Sequence, residues 1–536
     1  MVINKQTALL SVYNKEGIVD FARRLKRLGW EILASGGTAK TLQAADIPVQ
    51  DVGELVGEPI LGHRVVTLSR EIHAGLLAQD TQADRSELKK LRVPFIDLVC
   101  VDLYPLQAEI DRPDSTPESV REKTDIGGPA MLRSAAKGQR IVICDPADRD
   151  RVAAWLEDGA PEKERMITEL AAKAEAVVAR YGLASARYHG SYDGLLGRQV
   201  LECQYGENGW QAPAGLYSTG SPDRLALDRF TRIAGTTPSY NNLCDLDRLL
   251  QTMTHLAAAF DRNYGTVPAI ALGAKHGNCC GAAVGEPKKT ETVLKKMIDG
   301  DKRAIFGGLV MVNFPVDRQS AEILLSYGMP EGSRRLLDGI IAPSFADEAV
   351  ELLRRKGDKC RFLANPALAE LTSDSLDISR RFRYVRGGFL AQPNYELVLD
   401  LKDPDLQKSV SLPAARERDL LLAWAIGSTS NSNTVTLTRN GSLLGNGVGQ
   451  QDRVGGCELA IKRATDAGHT VDGCVAYSDS FFPFPDGPEV LADAGVTAIL
   501  ATGGSVKDAE VQAVCRKRGV TLYLAPDKRY RGFFGH

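Results

Sequence analysis

The sequence predicts an α/β protein built on parallel sheet with helices on both faces. Two observations predict it: short, nearly continuous apolar runs recur at strand length, and amphipathic stretches of helical period separate them. ALLSVY (8–13) is the first run and reads as a buried strand. Residues 16–28 follow with Ile18, Phe21, Ala22, Leu25 and Leu28, the spacing of one helix face. Residues 30–34, DLVCVDLY (97–104) and IVICD (141–145) are further strands. Residues 147–158 and 162–181 are further helices, the second rich in Ala, Glu and Lys. Strands alternating with helices imply parallel pairing, because each helical crossover returns the chain to the end of the sheet where the previous strand began.

A boundary is expected near 185–212, a stretch rich in Gly and polar residues that runs into CQYGENGWQAPAG. Beyond it lie VPAIALGA (267–274), FGGLVMVNF (306–314), GIIAPSF (339–345), VTLTRNGSLLGNGVGQ (435–450), GCVAYSD (473–479) and VTAILATGG (496–504). The last third again alternates strand and helix, without a short repeat or a low-complexity tract.

The chain has 536 residues, enough for two to four domains with packed cores. Its formal net charge of −2 argues against whole-protein attraction to DNA or RNA, so basic groups are expected to act locally around a small anion. The opening MVINKQTALLSVYNKEG has too short an apolar run for a signal peptide, and no stretch approaches the ~20 apolar residues of a membrane span. A cytoplasmic protein without membrane or nucleic-acid partners is expected. Ten cysteines are scattered without a paired C-x-x-C spacing, which argues against a zinc ribbon. The adjacent Cys279-Cys280 pair is expected to be reduced.

Four segments carry candidate chemistry. Ser35-Gly36-Gly37-Thr38 follows a strand and opens a helix, so its backbone N–H groups, hydroxyls and helix terminus suit a phosphate. It lacks a Walker ending, and the same residues would also serve as a plain strand-to-helix turn. Thr124-Asp125-Ile126-Gly127-Gly128-Pro129 starts a helix that runs to Lys137, with Asp125 either a cap or part of a site framed with Lys137. Lys275-His276 ends an apolar strand, where ligands collect in α/β sheets; His276 is a candidate general base beside a fixed positive charge, or simply a solvated histidine. Ser478 to Asp486, SDSFFPFPD, offers an aromatic wall and one carboxylate, suited to a flat heterocycle, or an aromatic plug under a loop. Gly445-x-Gly447-x-Gly449 has the wrong spacing for a dinucleotide fingerprint.

Taken in order, these segments resemble the bifunctional family of purine-biosynthesis enzymes that joins 5-aminoimidazole-4-carboxamide ribonucleotide (AICAR) formyltransferase to IMP cyclohydrolase. The markers are SVYNKEG, LASGGTAKTL, DIGGPAMLRSAAKG, SYNNLCDLD (239–247), KHGNCCGAAVG (275–285), DGIIAP (338–343), GNGVGQQDRV (445–454), SDSFFPFPDG and TGGSVKDAEV. The resemblance implies a methylglyoxal-synthase-like cyclohydrolase domain at 1–195. It implies a formyltransferase region at 200–536, made of two cytidine-deaminase-like lobes at roughly 200–365 and 366–536. The deaminase likeness would be of fold only, since the H-x-E and P-C-x-x-C zinc ligands are absent and no metal is expected. The resemblance further implies 10-formyltetrahydrofolate as co-substrate and a homodimer with shared formyltransferase sites.

Residue by residue, it implies catalysis of formyl transfer by Lys275, His276 and Asn433. Tyr205, Gly307, Asp338, Arg453, Phe481 and Arg529 match AICAR contacts, and Val454, Asp486 and Ser505 match folate contacts. Lys15, Ser35, Gly36, Gly37, Thr38, Arg64 and Thr67 match the phosphate shell of the cyclohydrolase, and Tyr104, Asp125 and Lys137 its ring-closing groups. This sequence departs from the family pattern at several of these places. Gln204 replaces a phosphate-binding arginine and Trp210 a histidine; Val66 replaces a lysine, Ser69 a histidine and Asp102 an asparagine. Asp102 is expected to bring negative charge toward an anionic ligand, with Arg70 compensating. KRYRGFFGH offers Arg529 or Arg531 for the C-terminal arginine, and Arg529 is favoured. The expected activity is formyl transfer from 10-formyltetrahydrofolate to AICAR, with closure of formyl-AICAR to IMP as the second. The alternatives are a formyltransferase with a non-cyclising N-terminal domain, a paralogue acting on another aminoimidazole nucleotide, and a non-catalytic nucleotide sensor.

Overall fold

A computed structural model describes residues 5–62 and 64–535. Met1–Asn4 of the opening segment, His63, and the last residue of KRYRGFFGH lie outside the described residues. The chain divides into two compact units, Met1–Leu196 and Gly197–His536.

The first unit is a five-stranded, all-parallel sheet. Its strands are β1 (Thr7–Val12), β2 (Glu31–Ala34), β3 (Gln50–Asp51), β4 (Leu98–Asp102) and β5 (Ile141–Ile143), in the order β3-β2-β1-β4-β5. Alternate residues of β1 enter different cores. Ala8, Leu10 and Val12 join one cluster with Ile32 and Cys100, while Leu9 joins another with Leu33, Val99 and Val142. Burial on both faces is why these strands read as unbroken apolar runs. Helix Ile18–Arg27 docks through Ile18, Phe21, Ala22 and Leu25, and each of the larger three contributes about 1.5–3 kcal/mol on burial. The chain runs from β1 outward through β2 to β3, then crosses to the other side for β4 and β5. The carboxyl ends of β1 and β4 therefore flank the point where strand order reverses, the usual place for a ligand in such sheets.

The second unit carries a twelve-stranded mixed sheet. One sequence of elements occurs twice. The first copy is helix Tyr240–Tyr264, hairpin Ala269–Lys275 and Asn278–Gly285, helix Thr290–Gly300, strand Leu309–Val312, helix Arg318–Ser326, strand Gly339–Ala342, helix Asp347–Leu353 and strand Arg361–Ala364. The second runs from helix Ala414–Ser428 through hairpin Val435–Arg439 and Ser442–Gly447, helix Arg453–Asp466, strand Val475–Ser478, helix Asp486–Asp493, strand Ala498–Thr502 and helix Asp508–Arg518 to strand Thr521–Ala525. The copies join where the second hairpin strands pair antiparallel, with Ala283 opposite Ser442. The two first helices pack together on one sheet face around Leu256, Leu420, Trp424 and Tyr477. The remaining helices of each copy cover the other face over separate cores. The sheet is mixed, where alternation alone suggested parallel pairing, because each copy opens with a two-residue hairpin turn.

Two further hairpins form separate two-stranded ribbons, Arg198–Cys203 with Ala214–Ser218 and Arg380–Val385 with Gly388–Pro393, the first packing Cys203, Leu201 and Leu216 against the main core. All ten cysteines are free. Among the described residues, no helix is long and apolar enough to cross a membrane, and no three His, Cys, Asp or Glu side chains gather as a possible metal site.

Candidate functional site

In the first unit, the candidate residues gather at the carboxyl ends of β1, β2 and β4. Helix Gly36–Gln43 opens directly after β2, and nothing lies within 4 Å of where a side chain on Gly36 would begin. Thr38 is not free for a ligand: its buried hydroxyl accepts from Val12 N at 3.1 Å and donates to Val12 O at 3.3 Å, which pins the helix to β1. Ser35 Oγ lies 2.7 Å from Ser11 Oγ. Lys15 reaches back to the carbonyls of Val12 and Tyr13 and passes beside Gly37. Burial lowers the pKa of Lys15, Asp102 opposes that and Arg149 adds to it.

Asp102 closes β4, and its charge is neutralised inside the protein. It accepts from the backbone N–H groups of Tyr13 and Asn14 and pairs with the buried guanidinium of Arg149 at 3.1 Å. Arg149 also donates to the carbonyls of Asn14 and Glu16. The expectation that Asp102 repels an anionic ligand is thereby corrected, because the carboxylate faces the loop that carries Lys15 together with a cation of its own. The two other departures of this unit, Val66 and Ser69, have local contacts of their own. Val66 is half-buried and packs against the Leu9 core, Ser69 caps helix Arg70–Leu77 by accepting from Ile72 N at 3.1 Å, and Arg70 is exposed beside Glu71 at 3.3 Å.

Tyr104 follows β4 and meets Tyr13 edge-on, with ring centroids 5.5 Å apart. Asp125 accepts from Gly128 N at 2.8 Å, and its own N–H donates to Tyr181 Oη at 2.7 Å. Burial raises the pKa of Asp125, opposed by backbone hydrogen bonds from Gly128 and Tyr104. Burial and the nearby Asp125 raise that of Tyr104. Thr67 Oγ1 lies 2.7 Å from where a side chain on Gly127 would begin, so any larger residue there would displace the Thr67 hydroxyl. Arg64 is exposed and pairs with Glu122 at 2.9 Å. Lys137 ends helix Gly127–Lys137, whose eleven residues span about 15 Å. It is exposed, at the far end of that helix from Asp125.

In the second unit, His276 and Gly277 form the tip of the first hairpin, between the paired Lys275 and Asn278. Both have positive φ, +53° and +73°. In the second copy the same tip is Asn440-Gly441, with φ of +54° and +70°, between Arg439 and Ser442. Asn-Gly is the favoured pair for such a turn, so His276 occupies a place where asparagine fits with less strain. Gly277 N donates to Asp245 Oδ1 at 2.5 Å, and burial raises the pKa of Asp245. Lys275 Nζ donates to Phe306 O at 2.9 Å and lies 3.8 Å from where a side chain on Gly307 would begin.

Lys275 and His276 line a cavity of about 410 Å³ with Asn431, Asn446 and Gly449. Tyr205 and Asp338 line a larger one of about 1370 Å³ with Gln204, Arg232 and Arg361. Asp338 pairs with Arg355 at 2.8 Å. Asn433 donates to Gln450 O at 3.0 Å and accepts from Arg453 at 2.8 Å. Arg453 is buried against the fully buried Asp479, whose pKa is raised by burial and opposed by Arg453. Arg453 therefore holds the Asn433 amide in place.

The aromatic segment divides by side. Phe482 is core, 2% exposed and packed against Gly487 and Cys457, whereas Phe481 is half-buried and Phe484 is exposed. The guanidinium of Arg531 lies 5.3 Å from the Phe481 ring. Arg529, favoured from sequence, pairs with Asp403 at 2.8 Å instead. Val454 lies in the first turn of helix Arg453–Asp466, which packs on the helix that Asp486 opens. Asp486 is exposed, and Ser505 Oγ accepts from Lys507 N at 3.1 Å.

Three organising residues were missed from sequence: Arg149, Tyr181 and Arg248. Arg248 donates to Gly277 O at 3.1 Å and to Asn431 Oδ1 at 2.7 Å, and also to the carbonyl of Phe534. It immediately follows SYNNLCDLD, which was the one signal available.

Comparison with known proteins gives two family matches. Residues 17–130 match the MGS-like domain, and residues 135–463 match the AICARFT/IMPCHase bienzyme. The chain is 35% identical to the bifunctional purine biosynthesis protein PurH of Acidithiobacillus ferrooxidans, across 98% of each chain. It is also 35% identical to the protein of that name from Oceanobacillus iheyensis, across 98% of this chain and 99% of that one. A solved structure titled "Crystal structure of ForH" is 37% identical over 35% of this chain and 100% of its own, with a TM-score of 0.31.

Proposed function

This chain belongs to the AICARFT/IMPCHase bienzyme family, and from that premise we propose that it transfers the formyl group of 10-formyltetrahydrofolate to AICAR at the His276 turn and closes the product to IMP at the Asp125–Tyr104 site. The observation that carries the reading is the first hairpin tip: His276 is held at positive φ on a turn fixed by Asp245, next to Lys275.

Formyl transfer asks little of the enzyme beyond proton transfer and charge stabilisation. The AICAR amine is a weak nucleophile because its lone pair is delocalised into the ring. As its nitrogen bonds to the formyl carbon, His276 takes the amine proton. The oxyanion of the tetrahedral intermediate is stabilised by the Lys275 ammonium and the Asn433 amide. When the carbon–N10 bond breaks, the proton passes from His276 to N10 of tetrahydrofolate. Phe481 faces AICAR, and Phe484 provides the wall for the pterin, with Val454, Asp486 and Ser505 around it. Ring closure follows in the other unit. The carboxamide nitrogen attacks the formyl carbon and passes one proton to Asp125 as Tyr104 protonates the formyl oxygen. The hydroxyl then takes the proton from Asp125 and leaves as water, while the formamido nitrogen gives its proton back to the Tyr104 oxygen and forms the ring C=N bond. Lys15 and the open N–H groups at Gly36 and Gly37 hold the phosphate.

We also infer a homodimer. The two ribbons of the second unit carry exposed aromatic and aliphatic side chains on their outer sides, Trp210 and Tyr384 each 82% exposed and Tyr217 and Leu390 exposed as well. A second copy covering these ribbons accounts for them. The reading is tested with purified protein, AICAR and 10-formyltetrahydrofolate, following tetrahydrofolate and IMP separately. Both products should appear. Neither appearing would overturn the reading, and tetrahydrofolate alone would leave the first unit a binding module.

A further inference from the structure

We infer that Arg248 is a positioning residue for formyl transfer, tying the His276 turn, the Asn431 loop and the C-terminal tail into one frame; this rests on the formyltransferase reading above. Arg248 lies on helix Tyr240–Tyr264, one turn beyond Asp245, so the same helix holds the His276 turn at two points. Asp245 takes the N–H of Gly277 and Arg248 takes its C=O at 3.1 Å. The two bonds fix the peptide planes on either side of Gly277, so the turn cannot flip, and that flip is the motion that would swing the imidazole of His276.

The other arms of the guanidinium reach different parts of the unit. One donates to Asn431 Oδ1 at 2.7 Å, two residues before Asn433. Another donates to the carbonyl of Phe534. The tail is fixed further by Phe534 N donating to Ser430 O at 2.9 Å and Gly532 N donating to Asp479 O at 3.3 Å. The Phe534 ring meets two guanidinium groups, Arg381 at 3.6 Å and Arg248 at 4.7 Å from its centroid. Burial, with Arg381 nearby, lowers the pKa of Arg248 to about 10, so it stays charged at neutral pH. A planar fork with several fixed donors suits this role, and the single rotatable ammonium of lysine does not.

The helix thus connects the proposed base, His276, with the loop that bears the proposed oxyanion donor, Asn433, and a further arm of the same guanidinium ties in the tail, which itself bonds that loop at Ser430. An error of about 1 Å in such a frame can lower turnover about 100-fold while binding persists. The test uses the full-length enzyme with Arg248→Met and a chain lacking residues 533–536. Each change should lower kcat for formyl transfer by about 10–100-fold, with KM for AICAR and for 10-formyltetrahydrofolate within about threefold of wild type. Because both break one frame, the double change should be no worse than the stronger single one. Arg248→Met with kcat within twofold of wild type would overturn the inference, as would losses that multiply in the double variant. A second readout is independent of the formyl-transfer reading. The C-terminal residues of Arg248→Met should be removed by carboxypeptidase at least about tenfold faster than those of wild type. No acceleration would overturn the inference even in an enzyme of different activity, whereas acceleration in a protein that transfers no formyl group would sink only the reading on which it rests.

Discussion

Arg149 Nη2 lies 3.1 Å from Asp102 Oδ2, with only 4% and 11% of the two side chains exposed. Around this pair the loop after β1 is organised: Asp102 takes the N–H groups of Tyr13 and Asn14, and Arg149 takes the carbonyls of Asn14 and Glu16. Lys15, the proposed phosphate ligand, stands in the middle of that loop. Breaking a buried pair on one side leaves an uncompensated charge and typically costs about 3–5 kcal/mol. Arg149→Met should therefore destabilise the first unit by roughly that amount and weaken IMP binding. Urea unfolding and an IMP titration of the same variant check both, and a variant unfolding within about 0.5 kcal/mol of wild type would show that the pair does not hold the loop.

The hairpin tips of the two copies supply a sharper variant at His276 than alanine. Asn440 already occupies the equivalent position at nearly the same φ, +54° against +53°. His276→Asn should keep or slightly raise stability, because asparagine tolerates this backbone conformation. It should lower formyl transfer by about 10²–10⁴, the range for loss of a positioned base, while cyclisation of supplied formyl-AICAR continues. Turnover near the wild-type rate would remove His276 from the base role.

Asp125 links ring closure to pH. Burial raises its folded-state pKa above the ordinary carboxylate value of 3.8. The folded state then binds the proton more tightly than the unfolded one, so this group favours folding below that ordinary value and loses the contribution as pH rises through the folded pKa. At neutral pH the buried carboxylate is a net cost. Asp125→Asn should raise stability at pH 7, with the gain shrinking as pH falls toward 4, and should lower ring closure by about 10²-fold or more. Melting curves at pH 4 and pH 7 with kinetics on formyl-AICAR measure both. Equal stability changes at the two pH values would show that the carboxylate is not penalised by burial.

The parts legible in the sequence were those set by local pattern. The strands at 7–12, 31–34 and 98–102 announce themselves because burial on both faces forces continuous apolar runs. Helix Ile18–Arg27 does so because one face alone is buried. The mixed character of the second sheet was also present, as Asn440-Gly441 between two apolar runs, a strong hairpin signal that alternation of strands and helices obscured. Partnership across long separations was not legible. Asp102 and Arg149 are 47 residues apart and Arg248 and Phe534 are 286 apart, and no local spacing records such pairs. Asp102 consequently read as an exposed anion. Thr38 read as a phosphate ligand because its position fits one, although its hydroxyl is consumed by Val12.

The two arginines of the C-terminal segment divide their work differently from the sequence expectation. Arg529 is paired with Asp403, a residue that also accepts from the Tyr530 hydroxyl. Arg531 lies over Phe481 and is held by Asp527 through its Nε at 3.0 Å. An arginine that is braced by one carboxylate yet lies beside the proposed AICAR contact is placed to meet the nucleotide, and Gln204 has already removed one cation from the expected phosphate shell. Losing a charged hydrogen bond to an anion typically costs about 1.5–3 kcal/mol, or about 10–150-fold in affinity. Arg531→Ala should accordingly raise KM for AICAR by at least about tenfold, with KM for 10-formyltetrahydrofolate changed far less. The effect should shrink at high ionic strength, where the anion is already screened. Arg529→Ala should instead lower the melting temperature, through the loss of the Asp403 pair, and leave KM for AICAR within about twofold. Steady-state kinetics of both variants at low and high salt, with melting curves beside them, decide between the two. The reverse pattern would return the nucleotide contact to Arg529 and make the Arg531–Phe481 approach a matter of packing alone.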